Sequence, residues 1–201
     1  MDLYARPNQD PGRPCMITCA LSGVVANRAQ CAAIPYTPEE YAAEAKRAYE
    51  AGAAAVHIHA RSPDGAPSFE IEDYRAIRDA IVAECPVIIN FSTGAVGVSV
   101  EKRVAYLEAV RPAVAALNMG SMNYAKYNPK KKGFVFDFVF ENPFSEIRAL
   151  LAAMNRLDIK PECECFDAGH VGSLHPLIDM GELRAPFQVS LLMGVVRSEE
   201  H

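Results

Sequence analysis

The stretch Ala54-Ala55-Val56-His57-Ile58-His59-Ala60-Arg61 sets imidazoles at alternate positions of a short apolar run. Side chains alternate across a β-strand, so Val56 and Ile58 share one face while His57 and His59 share the other. Two neutral imidazoles one pleat apart can hold a single metal ion. The plainer reading of an isolated His-x-His is two buried histidines bonded to backbone, so the neighbouring segments must decide.

Those segments repeat one pattern. Short apolar runs, predicted as strands, cover Cys15 to Leu21, Ala54 to Ala60, Val87 to Phe91, Val114 to Met119, Glu162 to Phe166 and Phe187 to Met193, each bounded by Pro, Gly or Asn. Amphipathic stretches alternate with them. Thr37-Pro38-Glu39-Glu40 is a capping box with proline at the first helical position, and Gly52 supplies a left-handed stop, which predicts a helix from Pro38 to Ala51. Ile71, Tyr74, Ile77, Ile81 and Val82 recur at helical spacing before Pro86. Val100 to Val110 and Ser145 to Leu157 each carry one apolar stripe, and a further helix is predicted from Gly172 to Met180. The segment from Asn123 to Asn142 interrupts this rhythm, and its alternating Phe134 to Phe140 run predicts a hairpin or a lid.

Alternation of this kind builds a parallel sheet covered by helices. Two arrangements suit six such units: an open doubly wound sheet, or a (β/α)8 TIM barrel truncated after about six βα units. The 201 residues agree with the second, since complete barrels run to ~250. No Gly-rich phosphate fingerprint follows the first strand, which counts against a dinucleotide fold. The expected organisation is a flexible leader over residues 1–14, an incomplete barrel over 15–196 and a tail over 197–201.

Composition narrows the function classes. A net charge of -5 gives no general attraction to nucleic acid, and Lys130-Lys131-Lys132 is the one basic run, read here as a solvated loop. No segment reaches the ~20 uninterrupted apolar residues of a membrane span, and the polar, proline-rich start lacks the apolar core of an export signal. The six cysteines contain no C-x-x-C pair and read as reduced thiols of a cytoplasmic protein. Cys163 and Cys165 alternate along one strand and share a face.

Barrel enzymes place their chemistry at the C-terminal ends of the strands, which is where His57 and His59 fall. Three further strand ends carry small polar groups: Ser92-Thr93-Gly94, Asn118 through Asn123, and Glu162-Cys163-Glu164. Each is ordinary turn chemistry taken singly; four at one edge suggest a site. Glu162 and Glu164 share one face, turned either to the barrel interior or to the helices, and an inward acid requires a metal, an Arg or a substrate amine. Arg61 reads as a barrel-rim salt bridge in preference to a substrate-anion contact.

These pieces in this order resemble the beta-keto acid cleavage enzyme family. The carrying motifs are Ala51 through Arg61, Asp64-Gly65-Ala66-Pro67-Ser68, Ser92-Thr93-Gly94, Leu117 through Asn123, Asn142-Pro143 and Pro161-Glu162-Cys163-Glu164. The resemblance implies a (β/α)8 barrel and a zinc ion held by His57 and His59. It also implies an exchange in which a 3-keto acid and acetyl-CoA give acetoacetate and a shortened acyl-CoA. Ser92 matches the serine that binds and activates substrate, with Thr93 and Gly94 in the same turn. Ser121 and Asn123 match positions that hold the substrate carboxylate, and Glu164 matches a substrate contact. Homotetramers are the expected assembly. Val24, Val25 and Ala26 follow Ser22-Gly23 where some members carry an acid, which argues against an amino group on the substrate. The family's last two βα units, with an Arg, a Glu zinc ligand and a catalytic Asp, have no counterpart here. Two other readings stand beside this one: an inactive truncated barrel serving as an interaction protein, and a metal-dependent barrel hydrolase.

Overall fold

Apolar side chains on one face of each strand and polar ones on the other force a sheet that is dry outside and wet inside. The structure, a computed structural model, describes residues 15–194 and has that arrangement. Six parallel strands lie in the order β1 (Thr18–Ala20), β2 (Ala55–Ile58), β3 (Ile88–Ser92), β4 (Val114–Asn118), β7 (Lys160–Cys165) and β8 (Gln188–Leu191). Between β4 and β7 the chain makes an antiparallel hairpin of β5 (Met122–Asn128) and β6 (Gly133–Phe140). The helices are α1 (Pro38–Glu50), α2 (Ile71–Glu84), α3 (Val100–Val110), α4 (Phe144–Leu157), α5 (Ala168–Gly172) and α6 (Leu174–Asp179). The leader, the tail, and residues 195 and 196 lie outside the described residues.

Local chemistry explains the helix ends. Thr37 caps α1 by accepting from the Glu40 amide, and the Glu40 carboxylate accepts from the amides of Thr37 and Tyr36, so orphan donors are satisfied in both directions. Gly52 then takes a φ of 103°, which ends the helix where a side chain would be strained. The helix predicted from Gly172 to Met180 is instead two short helices, α5 and α6, broken at Ser173. Asp167 starts the first by accepting from the His170 amide, a cap that lies upstream of the Gly172 to Met180 stretch whose pattern reads as helical.

The core lies between the outer sheet face and the helices. Val56, Ile58, Ile89, Phe91, Ala115, Leu117, Cys163 and Cys165 point outward and pack against Tyr41, Tyr74, Ile81, Leu107, Leu151 and Met154. Tyr74 stacks on Tyr106 with centroids 4.2 Å apart, and the Tyr106 hydroxyl donates to the Ser92 carbonyl at 2.7 Å. That bond ties the end of β3 to helix α3. β8 differs from the other strands: Leu191 is 61% exposed and Val189 40%, because none of the described helices covers its outer face.

The sheet is curled. In a flat sheet β2 and β7, three positions apart, would be separated by ~14 Å at ~4.8 Å per strand. Yet His57 on β2 and Glu162 on β7 approach to 3.8 Å between Nδ1 and a carboxylate oxygen. Asn90 on β3 donates to the same carboxylate. The described residues therefore form a parallel half-barrel whose concave face carries the polar side chains. All six strands predicted from the sequence are present with shifted ends, and the Phe134 to Phe140 run is one arm of a hairpin. β1 is shorter than expected because it pairs only with β2.

Leu151→Ala, at a fully buried position, is expected to lower the unfolding free energy in urea by about 2–5 kcal/mol. Leu191→Ala should change it by less than about 0.5 kcal/mol, because that side chain buries little.

Candidate active site

The concave face draws one or two polar residues from each strand. Register sets His57 beside Ala20 and Asn90, Ser92 beside Ala116, Glu162 beside Ala116 and Gln188, and Glu164 beside Asn118 and Ser190. Since neighbours in register share a face, all of these residues except Asn90 and Ala116 line one cavity of about 640 Å³. Its floor is His57, His59, Glu162 and Glu164, and its walls include Val24, Val25, Tyr124, Phe138, Phe140 and Leu192.

The two imidazoles turn toward each other, with their Nε2 atoms 3.3 Å apart. Two nitrogens at ~2.0–2.1 Å from a tetrahedral cation would be separated by ~3.3 Å, so the observed spacing is that of two ligands sharing one ion. The His57 Nδ1 faces Glu162, the arrangement in which a carboxylate orients a metal-binding histidine. His57, Glu162 and Glu164 also offer ligand atoms that all lie within 4.8 Å of one another. The donor set, two imidazoles and two carboxylates, fits a small divalent cation.

His59 is held from three directions. Ser22, in the loop after β1, donates through its hydroxyl to the His59 carbonyl at 2.9 Å and accepts from the His59 amide at 3.2 Å. The Tyr41 hydroxyl on α1 donates to the same carbonyl at 2.7 Å. Glu162 is equally fixed, accepting from Asn90, from the Ser190 hydroxyl at 2.6 Å and from Gln188 at 3.3 Å. Glu164 has no such set of donors.

Burial and neighbours then separate four titrations. Burial opposes ionisation of Glu162, but the nearby His57 imidazole and hydrogen bonds from Ser190 and Asn90 outweigh it and hold its pKa below the ordinary carboxylate value. Burial pushes Glu164 up to about 7 against the attraction of His57, with Glu162 adding to the rise. Burial also opposes protonation of His57, yet the Glu162 and Glu164 carboxylates prevail and raise its pKa. For His59 burial is reinforced by His57 and Arg61, and its pKa falls to about 3. His59 is thus a neutral imidazole at any physiological pH.

The other residues singled out from the sequence divide into two groups. Ser92 and Gly94 line the cavity; the Ser92 oxygen accepts from the Gly94 amide at 3.2 Å. A side chain at Gly94 would meet the Asn118 side chain at 3.0 Å and the Phe140 ring at 3.3 Å, so a larger residue would require both to shift by a few tenths of an ångström. Thr93 is buried and donates to the Ala116 carbonyl at 2.5 Å, joining β3 to β4. Ser121 and Asn123 do not line the cavity: both are exposed, and the Ser121 hydroxyl accepts from the Asn142 amide.

Arg61 is a correction. Among the described residues it makes no salt bridge. It is 4% exposed and donates to the carbonyls of Gly65, Gly23 and Ala26, clamping the loop after β1 to the loop after β2. Gly65 has a φ of 88°, and a Cβ there would fall 2.2 Å from the Tyr36 ring, so the Asp64-Gly65 turn is read structurally. Asn90, Gln188, Ser190 and Tyr124 were not anticipated as site residues. Asn90 carried a signal: a lone amide inside Ile88-Ile89-Asn90-Phe91, two positions before Ser92 and therefore on its face.

Fold and site together define a class: a parallel half-barrel with a histidine-carboxylate cluster at the C-terminal edge of its strands. The model of the beta-keto acid cleavage enzyme family matches residues 14–200, and the chain belongs to that family. A 3,5-dioxohexanoate:acetyl-CoA acetone transferase of Paraburkholderia graminis is 32% identical over 92% of this chain and 64% of its own length. A 3-keto-5-aminohexanoate cleavage enzyme of Acetoanaerobium sticklandii is 34% identical over 90% of this chain and 63% of its own. The apo structure of ObcA superposes with a TM-score of 0.63 at 25% identity, covering 81% of this chain and 36% of that one. The chain therefore spans about 64% of the length of such relatives.

In the metal-free chain, NMR titration of the imidazole nitrogens is expected to show His57 protonating above 6.5 and His59 remaining neutral down to near pH 3. The sign for stability follows. Below 6.5 the unfolded chain protonates His59 while the folded one does not, so this residue's contribution is lost as pH falls from 6.5 toward 3. His57 acts oppositely, stabilising while protonated and losing that effect as pH rises through its raised pKa. Replacing Glu162 by Gln should bring the His57 midpoint below 6.5.

Proposed function

We propose that this chain carries the metal-binding and keto-acid-binding part of a zinc-dependent beta-keto acid cleavage enzyme, which uses acetyl-CoA to convert a 3-keto acid into acetoacetate and a shortened acyl-CoA. The observation that carries the reading is the convergence of His57 and His59 on one point inside the cavity. Family membership supports the reaction class, as do the acetyl-CoA-using relatives.

His57 and His59 would hold zinc, and Glu164, the carboxylate beside them not already committed to several donors, is left for the substrate. When bound, zinc supplies a Lewis acid for the keto oxygen. The chain's own groups do the rest. His59 stays neutral and donates a lone pair; Glu162 fixes the His57 ring through Nδ1. Ser92 accepts from the Gly94 amide and so keeps its hydroxyl proton for a substrate oxygen, while Thr93 and Gly94 hold the turn that aims it. Glu164, with a pKa near 7, can hold or release a proton at a substrate oxygen under ordinary conditions. Ser121 and Asn123 hold the substrate carboxylate in this reading only if their turn closes over the cavity mouth.

The walls name the substrate class. Val24, Val25, Phe138, Phe140 and Leu192 are apolar, and among the described residues the cavity lining holds no acid outside Glu162 and Glu164 to pair with an ammonium group. A 3-keto acid with an uncharged, apolar tail is favoured over one bearing an ammonium group. All six cysteines are unpaired, and no described helix is long and apolar enough to cross a membrane; both agree with the proposed cytoplasmic setting. Homotetrameric assembly belongs to the same proposal.

Purified chain should bind one zinc per molecule, and His57→Ala or His59→Ala should weaken the metal at least tenfold by competition with a chromogenic chelator, roughly the cost of losing a ligand or its support. Absence of zinc from the unaltered chain defeats the proposal. Against a panel of 3-keto acids with acetyl-CoA, apolar tails should give a kcat/KM about tenfold above an ammonium-bearing analogue, equivalent to ~1.4 kcal/mol.

A further inference from the structure

The β5–β6 hairpin has features that the cleavage site does not explain. Directly opposite residues in an antiparallel pair share a face, so Tyr124 with Phe138, Lys126 with Phe136 and Met122 with Phe140 stand on one side. Tyr124 stacks on Phe138 at 5.4 Å and on Phe136 at 5.9 Å, and Phe136 lies 5.9 Å from Phe138. This ladder begins inside the cavity, which Tyr124, Phe138 and Phe140 line beside Glu164. Outward it runs to Tyr127 and Phe134, 5.8 Å apart and exposed.

The hairpin's charge runs against that of the chain. From Met122 to Phe136 there are four lysines and no acid, in a protein of net charge -5. Lys130, Lys131 and Lys132 form the exposed tip, where the Asn128 side chain accepts from the amides of Lys130 and Lys131 and fixes the turn. The nearest acid, Asp137, pairs with Ala125 on the other face. From Phe138 to Lys132 an extended strand covers ~20 Å at ~3.3 Å per residue. An exposed aromatic track of that length, apolar at the cavity and cationic at its far end, matches a ligand with a reactive apolar arm and a polyanionic, π-faced terminus.

We propose that this face of the hairpin is the docking track for the nucleotide end of a CoA thioester, resting on the acetyl-CoA reading given above. The pantetheine arm lies along Tyr124 and Phe138 with its sulfur toward the cavity. The adenine stacks on the outer aromatics, as bases do on exposed rings. Lys126 and the Lys130–Lys132 tip contact the phosphates.

Calorimetry on the zinc-loaded full chain, with CoA, dephospho-CoA and pantetheine as probes, tests the assignment. CoA is expected to bind more tightly than dephospho-CoA and to weaken as salt rises. A quadruple variant, Lys126→Glu, Lys130→Glu, Lys131→Glu and Lys132→Glu, should lose CoA affinity by about tenfold or more and leave pantetheine unchanged, as expected when phosphate contacts are reversed. Phe136→Ala should weaken CoA about fivefold or more through lost stacking. Circular dichroism and zinc content establish that the variants are folded.

CoA affinity equal in the quadruple variant and the unaltered chain overturns the proposal, as does absence of CoA binding. It is also overturned if Phe134→Asp dissociates an oligomer while CoA affinity is retained, since the face then belongs to a second copy of the chain. The two readings fail separately. Lysine-dependent CoA binding by a chain that takes no zinc sinks the catalytic reading alone; zinc binding with lysine-independent CoA affinity sinks the track alone.

Discussion

One constraint organises the molecule: strand side chains alternate, and the curl of the parallel sheet turns one of the two resulting faces inward on itself. The outward set packs with Tyr41, Tyr74 and Leu151 to form the core. The inward set has nowhere to go except toward other inward residues. His57 meets Glu162 across two intervening strands for this reason alone. Such a concave face must be polar and mutually satisfied, because unpaired acids and imidazoles there would destabilise the fold by several kcal/mol each. Glu162, with four polar neighbours, shows the satisfied extreme, and Glu164, lacking such support, is left close to neutrality in its titration.

Period-2 and period-3.6 patterns made the architecture legible. The capping box at Thr37 and the apolar stripe from Val100 to Val110 give helices at the expected places, with α3 matching to the residue. The break between α5 and α6 was not legible, because it depends on Asp167 capping and on His170, which folds back to accept from the Phe166 amide. Those are contacts of side chains with backbone, invisible to a hydrophobic pattern. The curl was legible through chain length and family resemblance, and not through periodicity. Periodicity says that a strand has two faces and does not say which face is concave.

The site was legible in outline. The His57 and His59 pair could be read from spacing, and the shared face of Glu162 and Glu164 likewise; that this face is the inward one required the sheet. The reading of Arg61 differs because a cation beside a site suggests an anionic partner, whereas this guanidinium donates to backbone carbonyls. Ser121 and Asn123 lie past the end of β4, where the chain already turns into the hairpin, so sequence proximity to Asn118 does not carry them into the cavity.

The paired hydrogen bonds between Ser22 and His59 have a mechanical meaning. They splice the loop behind β1 to the backbone of a cavity-lining histidine, and Val24 and Val25 of the same loop form part of the cavity wall. A molecule pressing on those valines therefore tugs at the His59 backbone through Gly23 and Ser22. The shape of that wall and the alignment of the imidazole are geared together, and an exchanged loop would have to keep its serine to leave that gearing intact.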